Sequence, residues 1–172
     1  MSKKLNDVVI TAALRTPIGT YKGSLKGLEA YKLGALVIKE VINKSKLKLK
    51  DVDEVIMGHV LTSGSGQNPA RQASINAGVP VSKPAHIINQ VCGSGLRSIV
   101  SGYQSISLGE NKIIVAGGQE SMSRAPHAIF YREDKKFSEN KLVDTMINDG
   151  LIDSFNNYHM GVTAENIAEK YK

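Results

Sequence analysis

The sequence predicts an α/β protein: a mainly parallel sheet with helices packed on both faces. Three observations point there. Four β-branched, largely apolar segments recur within the first 120 residues. Stretches with apolar side chains at helical spacing separate the later ones, as crossover connections require. Glycines gather where those segments give way to loops or helices.

Val8-Val9-Ile10-Thr11-Ala12-Ala13-Leu14 is bounded by Pro17 and Gly19 and reads as a buried strand. Residues 30–43 carry Leu33, Leu36, Val37 and Val41 at helical spacing. Val55-Ile56-Met57-Gly58-His59-Val60-Leu61 reads as a second strand, ending in the loop Ser63-Gly64-Ser65-Gly66. A short helix is expected over 69–77, with Pro69 in its first turn. Ala85-His86-Ile87-Ile88-Asn89-Gln90-Val91 is a third strand. The helix after Cys92-Gly93-Ser94-Gly95 has an apolar face of Leu96, Ile99, Val100, Tyr103 and Ile106, and Gly109 is placed to end it. Lys112-Ile113-Ile114-Val115-Ala116-Gly117-Gly118 is a fourth strand.

The texture changes near residue 120. Residues 121–140 are polar and without period, 141–152 can form a helix, and Thr163 is a fair N-cap for a last helix carrying Ala164, Ile167, Ala168 and Tyr171. The boundaries expected are therefore 1–120 for the α/β domain and 121–172 for a second, incomplete one. The stop at Lys172, inside a helix, predicts a fragment.

Composition narrows the function classes. Hydrophobic residues make up 41% and charged residues 22% of the 172, as in ordinary globular proteins. A single cysteine leaves no internal disulfide and no cysteine-rich zinc site. No apolar run is long enough for a membrane span, and Leu5-Asn6-Asp7 rather than a secretory h-region follows Lys3-Lys4. A cytoplasmic protein with no membrane partner is the expectation. The net charge of +6 is uneven: residues 1–50 hold 11 Lys and Arg against 3 Asp and Glu. The lysines of Lys44-Ser45-Lys46-Leu47-Lys48-Leu49-Lys50 read as a solvated helix end, where cations are favoured, and no aromatic interleaving supports nucleic-acid binding.

The informative stretch is Asn89-Gln90-Val91-Cys92-Gly93-Ser94-Gly95-Leu96. Cys92 leaves a strand and enters a glycine-rich helix start. Unpaired backbone N–H groups there carry partial positive charge and favour thiolate over thiol. Glycines permit a sharp turn and close approach of a substrate. The arrangement is that of a nucleophile elbow, with N–H groups ready for a developing oxyanion. Two plainer readings stand beside it. A lone cysteine is commonly a small buried hydrophobe, and strand–glycine turns also bind phosphates. His59 and His86 sit in expected strands, where a satisfied core histidine is usual, and His127 lies on a polar stretch.

Asn89 to Leu96 resembles the nucleophile motif of the thiolases, and four further segments resemble that family in the same order. These are Arg15-Thr16-Pro17-Ile18-Gly19, the run from Gly64 to Ala73, Ala116-Gly117-Gly118-Gln119-Glu120-Ser121-Met122-Ser123, and the run from Tyr158 to Glu165. The resemblance implies the family's N-terminal half: a mixed, mainly parallel five-stranded sheet covered by helices, then the start of a loop domain. It implies acyl transfer between coenzyme A thioesters, with acetyl-CoA, acetoacetyl-CoA and CoA as substrates or products and no metal or redox cofactor. Cys92 would take the acyl group as a thioester. Tyr158-His159-Met160 resembles the biosynthetic, acetoacetyl-forming branch. By the same match Leu151, His159 and Met160 would line the pantetheine and short-acyl pocket, and Glu120 would be buried and structural.

A Claisen condensation also needs a base, an acceptor for the α-proton and donors for the enolate oxygen. In thiolases these come from a C-terminal half carrying Gly-His-Pro and a second cysteine in Cys-x-Gly-Gly-Gly, neither of which occurs here. The resemblance thus implies that the 172 residues alone do not turn over and that Tyr103, Ile106 and their neighbours face a missing partner half. It also implies a homo-oligomer, a tetramer or dimer. A non-catalytic thiolase-like subunit is the alternative. A nucleotide-binding module is disfavoured because no Gly-x-Gly-x-x-Gly follows a strand. A ketoacyl synthase would share fold and nucleophile but matches Asn89–Leu96 and Gln119–Ser123 less well.

Overall fold

The computed structural model describes residues 5–131 and 141–172; the N-terminal Met1 to Lys4 and positions 132–140 of the polar stretch lie outside the described residues. The elements run α1 (Ala30–Lys44), β1 (Glu54–Gly58), α2 (Pro69–Ala77), β2 (Ala85–Ile88), α3 (Ser94–Leu108), β3 (Ile114–Gly118), β4 (His127–Ala128), β5 (Val143–Asp144) and α4 (Met160–Tyr171). Three strands form a parallel sheet in the order β2–β1–β3. Val55 aligns with Ala85 on one side and Val115 on the other, and Gly58 with Ile88 and Gly118.

Alternation along β1 sends Val55 and Met57 to one face and Ile56 and Gly58 to the other. On the first face they join Ala35, Ile38 and Ile42 of α1 and Ala70, Ala73 and Ala77 of α2 in the main core. Burying Ile38 and Ile42, each at most 2% exposed, stabilises the fold by about 1.5–3 kcal/mol apiece. The alanine stripe of α2 lets α1 come close. α2 starts at Pro69, whose missing N–H costs nothing in the first turn, and Asn68 caps it by accepting the Arg71 N–H at 3.0 Å. Gly78 ends it in the left-handed conformation, φ 95°.

α3 covers the opposite face, and its packing side is built from small residues: Ser94, Ser98, Gly102 and Ser107 are buried. The Ser98 hydroxyl lies 2.6 Å from the Gly95 carbonyl oxygen and 2.7 Å from that of Gly117, tying the helix to β3. The periodic apolar face is turned away from the sheet: Leu96 is 70% exposed, and Ile99 and Tyr103 are exposed too.

At the other end of the sheet, Asp53 closes the turn before β1. It accepts the Lys112 N–H at 2.9 Å and the Ile113 N–H at 3.0 Å, with Lys83 at 3.4 Å. Those backbone donors, Lys112 first, hold its carboxyl below the usual range.

The structure differs from the sequence-based expectation in four places. Residues 8–14 have strand composition but join no strand ladder among the described residues, their hydrogen bond being that of the Thr11 hydroxyl with Ser45 at 2.9 Å. Val9 and Ile10 are 77% and 78% exposed, and a cleft of about 480 Å³ separates the segment from β3 and α3. β propensity describes a side chain's fit to a pleated surface, and a ladder needs an adjacent edge besides. The described sheet accordingly has three strands where five were expected; β4 and β5 make a separate antiparallel pair. Residues 141–152 are not one helix: β5 leads through a short helical turn into a five-residue π-helical turn, Ile147–Leu151. The last helix begins at Met160, earlier than expected, capped by the His159 ring Nδ1, which accepts the Gly161 N–H at 2.9 Å; Thr163 lies inside it. None of the described helices is long and apolar enough to cross a membrane.

Candidate active site

The site lies at the C-terminal ends of the three parallel strands. Gly58 ends β1, Gly118 ends β3, and the chain after β2 turns through Asn89–Gly93 into α3. These ends approach backbone to backbone: a Cβ on Gly58 would lie 2.7 Å from the Ser94 carbonyl oxygen and closer still to Gly95 N. A glycine at 58 is therefore what lets α3 begin directly over β1.

At the elbow, Val91 takes a left-handed conformation, φ 47°, and sends the next residue out of the strand direction. Gly93 N–H donates to the Gln90 carbonyl at 3.0 Å and Ser94 N–H to the Val91 carbonyl at 3.1 Å. Those two amides are thus used by the turn itself. The turn's own hydrogen bonds do not include the Cys92 N–H, and Cys92 is joined to Gln90 in an isolated parallel β-bridge. The Cys92 side chain is exposed and opens into a cleft of about 460 Å³. It is therefore an accessible thiol, and the buried-hydrophobe reading does not hold.

Gly58, His59, Val60, Leu61, Gln119, Glu120, Met122 and Leu151 share that cleft with Cys92. His59 is buried, 1% exposed. Its Nε2 is 3.2 Å from Glu120 Oε1 and its Nδ1 3.5 Å from Gln119 Nε2. Glu120 also accepts the Val60 N–H at 2.9 Å and the Leu61 N–H at 3.3 Å. An imidazole protonated on Nε2 satisfies both contacts, accepting from Gln119 and donating to Glu120. This network joins the exits of β1 and β3 behind the thiol. Glu120, expected to be buried, is half-buried and lines the cleft.

Leu151, at the end of the π-helical turn, is the pocket residue brought beside Cys92. His159 sits opposite Ile152 in an antiparallel bridge, exposed, with Nδ1 committed to the cap of α4; Met160 opens that helix and is half-buried. His86 is exposed, with Nδ1 3.0 Å from Glu54 Oε1, and His127 is exposed, 3.8 Å from Asp144. Sequence reasoning missed Gly58 and the hydrogen bonds of the Ser94 hydroxyl to Gln90 and Val91. The glycine at the last position of an apolar strand was the available signal for the first.

The chain is thus a parallel α/β domain with an accessible cysteine on a strand-to-helix turn at the C-terminal ends of its strands. The family profile "Thiolase, N-terminal domain" matches residues 8–172. An acetyl-CoA acetyltransferase of Pseudomonas aeruginosa is 55% identical over 168 residues, covering 97% of this chain and 43% of that protein. A cytosolic acetyl-CoA acetyltransferase of Rattus norvegicus is 49% identical over 172 residues, covering 100% of the chain and again 43% of the relative. A thiolase of Ascaris suum, crystallised with coenzyme A, superposes with a TM-score of 0.86 at 42% identity, covering 92% of this chain and 41% of that one. The chain belongs to the thiolase family and corresponds to its N-terminal domain. It spans less than half the length of these relatives.

Proposed function

We propose that the chain supplies the nucleophile of an acetyl-CoA acetyltransferase, which forms or cleaves acetoacetyl-CoA. The observation that carries this reading is Cys92, an exposed thiol on the elbow, opening into a cleft large enough for an acyl thioester. Its sulfur attacks the thioester carbonyl, and the developing oxyanion meets the Cys92 N–H. Collapse forms the acyl-cysteine and releases coenzyme A thiol. The carbanion of a second acetyl-CoA then takes the acyl group and frees the sulfur. The acyl-cysteine is itself a thioester, so neither direction is trapped.

Leu151 and Met160 form the apolar wall against the acyl group, and His159 donates a hydrogen bond in the pantetheine pocket; coenzyme A thioesters are substrates, with no resident cofactor. The base and enolate donors come from a C-terminal thiolase half. The turned-out apolar face of α3, with Leu96, Ile99 and Tyr103, supports that reading because monomers rarely expose such a patch. The working enzyme is a cytoplasmic homo-oligomer, dimer or tetramer, in keeping with the cytosolic rat relative.

Acetoacetyl-CoA formation from acetyl-CoA tests this. The 172-residue chain alone is expected to show no steady-state turnover, and addition of a C-terminal thiolase half to restore it. Normal turnover by the chain alone, or none after the two halves associate, contradicts the proposal.

A further inference from the structure

The left-handed backbone at Val91 is costly, because a β-branched side chain crowds the carbonyl in that region. The Val91 side chain is 49% exposed, so its own packing does not impose the conformation. Side-chain hydrogen bonds from two neighbours hold it, beside the backbone bond from the Ser94 N–H to the Val91 carbonyl at 3.1 Å. Asn89 Oδ1 accepts the Val91 N–H at 2.9 Å. The Ser94 hydroxyl accepts the Gln90 N–H at 2.8 Å and donates to the Val91 carbonyl at 2.5 Å. Ser94 is 4% exposed and fixed under Gly58, so it is a rigid anchor. The peptides on both sides of the strained residue are thereby gripped, and Cys92 is the next residue along.

We infer that Ser94 is a positioning residue for the nucleophile: its hydroxyl holds Val91 in the left-handed turn that presents the Cys92 sulfur to the cleft. The inference rests on the reading of Cys92 as nucleophile. Strain of this kind persists only where surrounding contacts over-determine it, and Ser94 supplies two of the contacts here. A glycine at 91 would adopt the same backbone without the steric cost and so would need the clamp less. A merely structural serine offers no reason for that dependence.

The test is the rate of Cys92 alkylation by iodoacetamide at pH 7 on the folded chain, with the same chain in urea as reference. Cys92 is the only cysteine, so the signal has one source. Four proteins are compared: the unchanged chain, Ser94→Ala, Val91→Gly, and both together. Ser94→Ala is expected to slow alkylation about tenfold, since small displacements of a reacting group carry losses of that order. Val91→Gly should stay within about twofold, and the double variant should recover to within about threefold of the unchanged chain, the non-additivity expected of coupled sites.

A Ser94→Ala rate within twofold of the unchanged chain, or a double variant as slow as Ser94→Ala, overturns the inference and leaves Cys92 as nucleophile. An unchanged chain that reacts no faster than in urea removes the activated thiol, and the inference with it. Should Ser94→Ala fail to fold, the double variant decides: folded and reactive supports the clamp, unfolded overturns it.

Discussion

An alanine at position 58 would drive a methyl group into the backbone of the elbow. Its Cβ would lie 2.7 Å from the Ser94 carbonyl oxygen and nearer still to Ser94 C and Gly95 N. Ordinary van der Waals contact begins near 3.4 Å. The obstacles are main-chain atoms, so no rotamer change relieves the clash, and α3 must move off β1 by the better part of an ångström. Overpacking of this kind costs about 1–3 kcal/mol. For a chain of this length that lowers the melting temperature by roughly 2–4 °C per kcal/mol. The same displacement carries the elbow with it, and Cys92 alkylation should fall by about ten- to a hundredfold.

Gly95 makes the control. A Cβ there would meet Gly118 only at 3.8 Å, an ordinary contact. Gly95→Ala should therefore hold or raise stability, since alanine gains about 1 kcal/mol of helix propensity over glycine. The assay is a thermal melt with iodoacetamide kinetics on both variants. Equal melting temperatures and equal rates for the two would refute the claim that main-chain contact at Gly58 sets the position of α3.

Further outcomes follow from the contacts around the sheet. Removing the hydroxyl in Ser98→Ala breaks the tie between α3 and the Gly117 carbonyl at a fully buried site, and urea denaturation should report a loss of about 1–2 kcal/mol. Asp53 has a lowered folded value, so it contributes stability above the ordinary aspartate value near pH ~3.9, and that contribution is lost as pH falls through the folded value. Acid unfolding of Asp53→Asn should show a flatter stability curve below pH ~4 than the unchanged chain; parallel curves would contradict the assignment. Gly34→Ala should push on the Gln119 amide oxygen, which lies against Gly34 and is buried with no hydrogen-bond partner among the described residues. The His59 ring loses its Gln119 contact in consequence, readable as a shifted imidazole resonance by NMR.

Much of the site-bearing frame was legible in the sequence, for local reasons. Pro69 and Gly78 bracket α2, and Gly109 closes α3 where expected, because each acts on its own backbone. The β2–α3 turn was legible for the same reason, whereas the exposure of Cys92 was not, because a lone cysteine reads equally as a small buried hydrophobe. Residues 8–14 were misread because strand pairing depends on an edge that composition cannot supply. The inner face of α3 was hidden because serine and glycine, which pack tightly on the sheet, carry no apolar period; the periodic face is the one turned outward. His159 took the cap assigned to Thr163 because an imidazole nitrogen can accept an amide as well as a hydroxyl can. The grip of Ser94 on Val91 depends on a backbone conformation that a valine does not advertise.

Mass spectrometry of the chain after exposure to acetyl-CoA, alone and with a C-terminal thiolase half, is the most direct check on the covalent step. One acetyl group on Cys92 in the combined sample, matched by released coenzyme A and absent from Cys92→Ala, is the predicted result. A Cys92 that stays unmodified while the halves are associated, or an acetyl group found on another residue instead, would contradict it.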